Sequence, residues 1–373
     1  MSLDIDNLIN DAIGENDPQQ GVPGWLDTGY PPLNKAISSM WDGGLPMGRM
    51  IEIFGPPSCG KTAVATKAMA SAQAMGGVAA FMDHETSFDI GLAKDLGLDP
   101  TSRWVYKQPT TFEQSIDMVK ILAKRLRNVD DKLRPLKGKA PLPMDKPIVV
   151  VFDSLASMVP DSKMYDSKGK MKEAGDNTMH DKLALAAATS SHFPLLVQIA
   201  NKCNICLIFL NQVRTKPGIV YGDATTTPGG NAPEFNASVR IGLTREMIKD
   251  KDKNIIGQTV KAFVRKNKVS APFRKAQWNF MFREDGSGYF DVDGSLVELL
   301  ADSGILERDG NGYIWTDGKK YMKPALKEKI EKENLRPELL RLLQGVELEE
   351  GVLGDTVADF GLEENDHEEG DEE

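Results

Sequence analysis

The segment from Met50 to Thr62 has the residue types that bind a nucleoside triphosphate. A short apolar run leads into GPPSCGKT at residues 55–62, which fits the P-loop pattern GxxxxGK[ST]. Glycines let the backbone N–H groups turn around the phosphates, Lys61 supplies a positive charge to the β and γ phosphates, and the Thr62 hydroxyl can bind Mg2+. A Gly/Pro turn between a strand and a helix is the alternative. The predicted nucleotide-binding residues are Gly55, Pro56, Pro57, Ser58, Cys59, Gly60, Lys61 and Thr62.

Three more apolar segments end in polar residues that can complete such a site. Val78–Met82, Pro147–Phe152 and Ile205–Leu210 each have the composition of a buried parallel strand. They end, respectively, in Asp83-His84-Glu85, Asp153-Ser154 and Asn211-Gln212. The carboxyl ends of parallel strands line one crevice of an open α/β sheet, and a P-loop faces the same crevice. The sequence therefore predicts a reaction centre at this edge.

Each polar side chain at these strand ends has a chemical role and a structural alternative. Asp153 follows an aliphatic run, as the acid of a Walker B strand does, and is predicted to join Thr62 at Mg2+; otherwise it caps the following turn. Glu85 is predicted to orient and deprotonate the attacking water; otherwise it pairs with a surface lysine. Gln212 is predicted to contact the γ phosphate; otherwise it satisfies backbone groups. His84 is interpreted as a packed neighbour.

The composition indicates an ordinary soluble protein with an acidic end. The 373 residues are 40% hydrophobic and 27% charged, with no run of 18 apolar residues and no leader sequence, so we expect the protein to stay in the cytoplasm. Glu347–Glu373 contains 13 acidic residues and no Lys or Arg. The rest of the chain carries 45 Lys and Arg against 42 Asp and Glu. This asymmetry fits a body that binds nucleic acid and a tail that competes with it, although a solvated tail without a partner is equally common.

The three cysteines are too few for a disulfide framework. Cys206 lies in an apolar run and is expected to be buried. Cys59 lies beside a helix N-terminus that could lower its pKa, which makes it a candidate for oxidation. Trp278, Phe280 and Phe282 stand at every second position of a predicted strand and are interpreted as its core residues.

Four parts are predicted along the chain. Apolar residues at helical spacing near the start indicate a short amphipathic helix, which packs on its own core or, as we favour, on a neighbouring subunit. Residues 28–39 are interpreted as a link, 130–146 as an exposed loop, and the helical sequence before Cys203 as interrupted at Pro194. Period-two patterns over 237–283 indicate antiparallel strands. The parts are 1–27, the N-terminal helix and linker; 28–284, the nucleotide-binding core; 285–345, a small α+β domain; and 346–373, an acidic disordered tail.

The sequence resembles the RecA recombinase family in a series of phrases that occur in the same order. The phrases are GGLPMGRMIEIFGPPSCGKT, FMDHETSFD, VVVFDSLASMVP, LIFLNQVRTKPGIVYGDATTTPGGNAPEFNASVRI and VRKNKVSAPFRKAQW. They span residues 28–283, weaker similarity continues to about Leu343, and the phrase from Leu207 to Ile241 is far more specific than a P-loop. The resemblance implies an α/β fold: a RecA-type P-loop NTPase core with a mostly parallel central sheet, a short N-terminal helix and a small α+β C-terminal domain.

The resemblance also implies roles for single residues. The family's matching glutamate, here Glu85, activates water, and the matching glutamine, Gln212, couples the nucleotide to DNA. Lys266 and Lys268 match a basic pair that reaches the γ phosphate of the adjacent subunit; plain surface lysines are the alternative. Residues 213–227 match a mobile DNA-binding loop, and 175–180 match a second one. The DNA-binding residues implied by these matches are Met179, Arg214, Lys216, Tyr221, Gly229, Gly230 and Asn231.

Three features differ from bacterial relatives. Leu92 stands where those relatives place a Tyr against the adenine, so the base pocket is expected to differ. Residues 130–146 and 161–173 look like insertions, and the N-terminal part is short. In these respects the chain is similar to UvsX-type recombinases encoded by phages, and a bacterial cell or a phage-infected host is the expected setting.

The expected function is that of an ATP-dependent DNA recombinase. The resemblance implies a helical filament of identical subunits on single-stranded DNA, which pairs with homologous duplex DNA and exchanges strands. It implies ATP and Mg2+ as cofactors and single-strand-binding and loader proteins as partners, with no membrane. Two alternatives stay open: a hexameric motor ATPase of the same fold, and a non-catalytic DNA-binding regulator that ATP switches.

Overall fold

The structure, a computed structural model, describes residues 21–166, 168–172, 179–215, 225–285 and 287–350. The predicted N-terminal helix, Lys216, Tyr221 and residues 351–373 lie outside these ranges, and the side chains of residues 179–182 are also not described. The strands are β1 (Trp25–Leu26), β2 (Leu45–Pro46), β3 (Met50–Gly55), β4 (Val78–Asp83), β5 (Trp104–Lys107), β6 (Ile148–Asp153), β7 (Ile205–Gln212), β8 (Arg214–Thr215), β9 (Thr225–Thr226), β10 (Val239–Lys249), β11 (Ile255–Asn267), β12 (Lys275–Phe282), β13 (Gly288–Asp291), β14 (Glu307–Asp309), β15 (Gly312–Ile314) and β16 (Lys320–Met322). The helices are α1 (Pro31–Ser38), α2 (Lys61–Ala74), α3 (Ile90–Asp95), α4 (Phe112–Arg127), α5 (Asp161–Met164), α6 (Met179–Cys203), α7 (Ala232–Asn236), α8 (Val292–Asp302), α9 (Lys323–Lys332) and α10 (Arg336–Leu342).

A nine-stranded sheet forms the centre of the molecule, in the order β13-β12-β11-β10-β3-β7-β6-β4-β5. The six strands from β10 to β5 in this order pair in parallel, and β10 to β13 pair with one another antiparallel. The aliphatic runs of β3 and β6 are buried along their whole length, as expected for parallel strands covered on both faces. This arrangement confirms the predicted α/β fold with a mostly parallel sheet.

The helix that follows the P-loop begins where the sequence predicts. Gly60 has φ 91° and precedes α2, and Gly76, with φ 78°, follows its end. Helix α4 begins after Thr111, whose hydroxyl accepts a hydrogen bond from the Gln114 N–H at 3.3 Å and so caps the helix. The side chain of Gln114 reaches back to the N–H of Thr110 rather than to that of Thr111.

Two segments were predicted wrongly because of their prolines. The predicted link at 28–39 contains α1, which starts with two prolines and buries Leu33 and Ile37. Proline is tolerated in the first helical turn because its missing N–H would have no partner there. The predicted interruption at Pro194 is also absent, since α6 runs without a break through this residue.

Helix α6 is a core helix in spite of its composition. Its segment Leu183–Cys203 is long and apolar enough to cross a membrane by length and composition alone, with a mean hydropathy of 1.4. Its side chains Phe193, Leu196 and Ala200 are fully buried, and Phe193 packs on Phe209 of β7 with ring centroids 4.8 Å apart. The apolar face of α6 is therefore covered by the sheet.

The C-terminal part packs directly on the central sheet. Strand β13 pairs with β12, and Leu296, Val297 and Leu300 of α8 belong to the same buried cluster as Trp278. The small sheet β14-β15-β16 contains the predicted hairpin around Tyr313. The domain boundary at 284 and 285 stays a prediction.

The prediction that Phe282 is a core residue is wrong. Phe282 lies at the end of β12, and its side chain is 41% exposed.

Residues 346–350, which the sequence places in the tail, lie against the body of the protein. Val346 is buried, the N–H of Lys275 donates to the carbonyl of Glu349 at 3.0 Å, and Glu350 forms a β-bridge with Arg274. The first five residues of the predicted tail are therefore ordered against the body, and the rest of it lies outside the described residues.

Candidate nucleotide site and DNA-binding loops

The P-loop closes tightly at the carboxyl end of β3. A Cβ atom on Gly55 would lie 2.2 Å from the backbone oxygen of Leu243, so no larger residue fits there. The Lys61 ammonium donates to the carbonyls of Gly55 at 3.0 Å and Pro56 at 2.7 Å. Gln258 of β11 donates to the Ser58 carbonyl at 3.1 Å and holds the loop from the far side. The loop is thus preformed as a backbone cradle with its lysine above it.

The Cys59 side chain supports the loop from inside. It is fully buried, and burial raises the pKa of its thiol, an effect that the nearby Lys61 charge only partly offsets. A buried thiol with a raised pKa is a poor nucleophile, so the hypothesis of an oxidation-sensitive cysteine is wrong. Burial of Cys206 is confirmed.

Thr62 and Asp153 meet beside the cradle. The Thr62 hydroxyl donates to Oδ2 of Asp153 at 2.9 Å, which joins the first turn of α2 to the end of β6. Burial raises the pKa of Asp153 to about 6; the Thr62 hydrogen bond acts in the opposite direction, and the Glu85 carboxylate adds to the increase. A hydroxyl and a carboxylate are the oxygen ligands that Mg2+ prefers. The cradle, the N-terminus of α2 and this oxygen pair fit a nucleoside triphosphate with Mg2+.

Glu85 and Gln212 are brought together at the same edge. Oε1 of Glu85 accepts hydrogen bonds from the hydroxyls of Ser154 and Ser157, the latter at 3.0 Å, and Nε2 of Gln212 lies 3.4 Å from it. Within the part of the chain that the structure describes, Glu85 forms no ion pair with a lysine, so the proposed structural alternative for this residue has no support. Sequence reasoning missed both serines, although Ser154 follows Asp153 directly.

Asp83 positions Glu85 through the turn that follows β4. Its buried carboxylate accepts hydrogen bonds from the N–H groups of Glu85 at 3.1 Å and Phe88 at 3.2 Å and from the Tyr106 hydroxyl at 2.8 Å. These bonds fix the turn that follows β4. His84 lies 2.7 Å from the Ser115 hydroxyl, and burial lowers the pKa of its ring to about 4, as suits a packed neutral imidazole.

Lys266 and Lys268 do not reach the P-loop of their own chain. Lys266 pairs with Arg240, which pairs with Glu52, three residues before Gly55. At a rise of about 3.3 Å per residue, Lys266 lies about 10 Å back along the strands and two strands to the side.

The two ammonium groups lie at the end of α7. Lys266 donates to the carbonyls of Glu234 and of Phe235, the latter at 3.1 Å, and Lys268 donates to that of Phe235 at 3.3 Å. Burial lowers the pKa of Lys266 to about 8, and the charge of Lys268 lowers it further in the same direction.

Among the predicted DNA-binding residues that the structure describes, Arg214 follows Gln212 closely in the chain and the others lie at α6 or before α7. Arg214 is exposed on β8, which pairs with β9 and so brings the two ends of the 213–227 loop together. Gly229 and Gly230 both contact α6, although Gly230 is also exposed to solvent: the carbonyl of Gly229 accepts from the Thr189 hydroxyl at 2.7 Å, and a Cβ on Gly230 would lie 2.9 Å from that of Ala186. Asn231 precedes α7, and Met179 begins α6. Direct DNA contacts of all these residues stay predictions.

Comparison with known proteins gives one consistent family. The sequence model of the RecA N-terminal domain matches residues 15–130 and 144–287. A "Protein RecA" from Geobacter sulfurreducens is 34% identical over 308 residues, which cover 81% of this chain and 79% of the relative. A "Protein RecA" from Bacteroides thetaiotaomicron is 36% identical over 323 residues and 86% of each chain. A solved structure described as "Crystal structure of the RadB recombinase" covers 70% of this chain and 97% of its own at 20% identity and a TM-score of 0.44.

Proposed function

The chain belongs to the RecA family of recombinases, and from this premise we propose that it is a DNA-dependent ATPase that exchanges DNA strands. Its subunits polymerise on single-stranded DNA with ATP and Mg2+ between neighbours, and the filament tests duplex DNA for homology. ATP hydrolysis to ADP and phosphate then releases the DNA. The protein acts in the cytoplasm of a bacterial cell or a phage-infected host, together with single-strand-binding and loader proteins.

The observation that carries this proposal is the contact between Gln212 and Glu85. Gln212 ends β7 directly before the predicted DNA-binding loop, whereas Glu85 follows β4 by two residues, and their side chains lie 3.4 Å apart. A γ phosphate in the cradle would compete for the Gln212 amide. The nucleotide state can therefore change the position of the loop, and DNA on the loop can change the reaction centre.

Each residue of the site has a step to perform. The P-loop amides and Lys61 would bind the phosphates, and Thr62 and Asp153 would hold Mg2+, which when bound would supply positive charge to the phosphate oxygens. Ser154 and Ser157 orient the Glu85 carboxylate toward the attacking water, and Glu85 accepts its proton. Lys266 and Lys268, which cannot serve their own P-loop, stabilise the charge on the γ phosphate of the adjacent subunit.

Electron microscopy together with phosphate release tests the proposal. With single-stranded DNA and a slowly hydrolysed ATP analogue, negatively stained images should show helical filaments, and ATP hydrolysis should need DNA. Closed rings would support the hexameric motor instead. A protein that binds DNA and ATP without DNA-stimulated phosphate release would support the non-catalytic regulator.

A further inference from the structure

A buried carboxylate on the P-loop strand has no part in the chemistry described above. Glu52 lies in the middle of β3 and is 1% exposed. Its Oε2 accepts a hydrogen bond from Nε of Arg240 at 2.6 Å, and its Oε1 accepts one from Nδ2 of Asn211 at 2.9 Å. Burying such an ion pair costs desolvation energy that the attraction between the charges often only balances. Stability alone is therefore a weak reason for a charged pair at this position.

Through Asn211, Glu52 is connected to Gln212, the residue predicted to contact the γ phosphate. Asn211 is fully buried, and its Oδ1 accepts from the N–H of Gln212 at 3.0 Å. The same side chain donates to the carbonyl of Pro228 at 3.0 Å. Asn211, held by Glu52, thus fixes the backbone of Gln212 and the point where the predicted DNA-binding loop returns to the body.

Through Arg240, Glu52 is connected to Lys266 and Lys268, the lysines predicted to act on the adjacent subunit. The Arg240 guanidinium is nearly buried, lies 5.0 Å from the ring centre of Phe54, and places NH1 3.5 Å from Oε1 of Glu234 on α7. The carbonyls of Glu234 and Phe235 are the ones that accept hydrogen bonds from Lys266 and Lys268. Arg240 therefore sets the position of the short helix on which both lysines rest.

We propose that Glu52 is a positioning residue that couples Gln212 to Lys266 and Lys268. Through Asn211 it holds the group that senses the γ phosphate in its own subunit, and through Arg240 and α7 it holds the cations offered to the next subunit. A change at Gln212 is passed through the hydrogen bonds of Asn211 and Glu52 and the ion pair between Arg240 and Glu234 to the two lysines at the end of β11. The inference rests on the proposed function, since it assumes that nucleotide, DNA and neighbour are linked.

The test measures how much an ATP analogue tightens binding to single-stranded DNA. By linkage, the ratio of the DNA dissociation constants without and with the analogue reports the coupling, which for allosteric proteins is about 5- to 150-fold. The double variant Glu52→Met/Arg240→Met replaces the pair by apolar side chains of similar volume, which usually preserves folding. We expect its urea unfolding midpoint to stay near that of the wild type while the ratio falls by at least about fivefold.

Arg240→Lys is the second variant. Lysine keeps the charge pair with Glu52 and so keeps the fold, but it lacks the guanidinium fork that reaches both Glu52 and Glu234. We expect a smaller fall of the ratio, about threefold. If either variant folds and keeps the full ratio, Glu52 has only a structural role and the inference is overturned.

Arg127→Met is the matched control for loss of a buried guanidinium. Arg127 donates to the carbonyls of Cys203 at 2.6 Å and Leu142 at 3.0 Å at the amino edge of the sheet, away from the nucleotide site. This variant should be less stable than the wild type but should keep the full ratio of dissociation constants. If its ratio fell as much as that of the Glu52→Met/Arg240→Met variant, the effect would come from destabilisation, and the inference would be contradicted. A wild-type protein whose DNA affinity does not respond to the analogue would contradict the proposed function itself.

Discussion

The carboxyl edge of the central sheet and the end of β11 differ in how many of the partners expected for their predicted site residues lie within the same chain. At the carboxyl edge, Thr62 and Asp153 are already hydrogen-bonded and Glu85 already has its orienting serines. At the end of β11, the side chains of Lys266 and Lys268 donate hydrogen bonds to carbonyls of α7, and their own P-loop is out of reach. Under the proposed function, one subunit therefore holds most of a hydrolytic site, and its Lys266 and Lys268 serve the γ phosphate of the adjacent subunit.

The largest expected effect comes from the P-loop lysine. Lys61→Ala should abolish ATP hydrolysis, because it removes the P-loop cation that is predicted to bind the β and γ phosphates in the cradle. Phosphate release with single-stranded DNA measures this. Lys94→Ala, an exposed lysine on α3, is the control and should behave as wild type. Normal turnover of Lys61→Ala would contradict the assignment of this loop.

Glu85→Gln separates binding from hydrolysis at the same edge. The amide can still accept the serine hydrogen bonds but cannot take a proton from water, so the rate should fall about a hundredfold while ATP-dependent DNA binding remains. Single-turnover hydrolysis and DNA-binding titrations measure the two quantities. If binding fell as much as the rate, Glu85 would be a binding residue and not the base.

Tyr221→Ala tests the predicted DNA-binding loop. In the sequence, this loop lies between Gln212 at the carboxyl edge and Lys266 at the end of β11. Loss of one stacking aromatic should weaken binding to single-stranded DNA about tenfold and abolish strand exchange, with nucleotide affinity nearly unchanged. Fluorescence titration and a strand-exchange assay measure both. Unimpaired strand exchange would remove Tyr221 from the DNA site.

The smallest effect is expected from the tail. Residues 351–373 carry ten acidic residues, and their deletion should raise the affinity for duplex DNA a few-fold at low salt by removing a competitor for basic surfaces. A tail of the same length with these acids changed to Asn and Gln is the control and should behave as the deletion does. An unchanged dependence of duplex affinity on salt would contradict the idea of competition.

The sequence predicted the parts of the site that follow from local pattern. Strands β3, β4, β6 and β7 and their polar ends were predictable because aliphatic runs are buried and the ends of parallel strands converge. The wrong predictions have a shared cause, since they infer the structural effect of a residue from its type and local pattern without its three-dimensional surroundings. Proline was taken to break α6, and Phe282 was taken to be buried because of its alternation with Trp278 and Phe280.

Contacts between distant segments could not be predicted from one sequence. Glu52 and Arg240 are 188 residues apart and meet only because β10 pairs with β3. Nothing in the composition of either segment indicates a buried ion pair. A single Glu in an apolar strand is equally compatible with an exposed position on an edge strand. The burial of Cys59 likewise depends on packing that the loop motif does not encode.

The central claim is that the neighbouring subunit completes each nucleotide site, and mixing two inactive variants tests it most directly. Lys61→Ala has intact interface lysines, and Lys266→Ala/Lys268→Ala has an intact P-loop, so each alone should lack DNA-dependent hydrolysis. In an equimolar mixture, a random head-to-tail filament should place a sound P-loop against sound lysines at about a quarter of its interfaces and recover a matching share of activity. A mixture as inactive as either variant alone would show that Lys266 and Lys268 do not act across the interface.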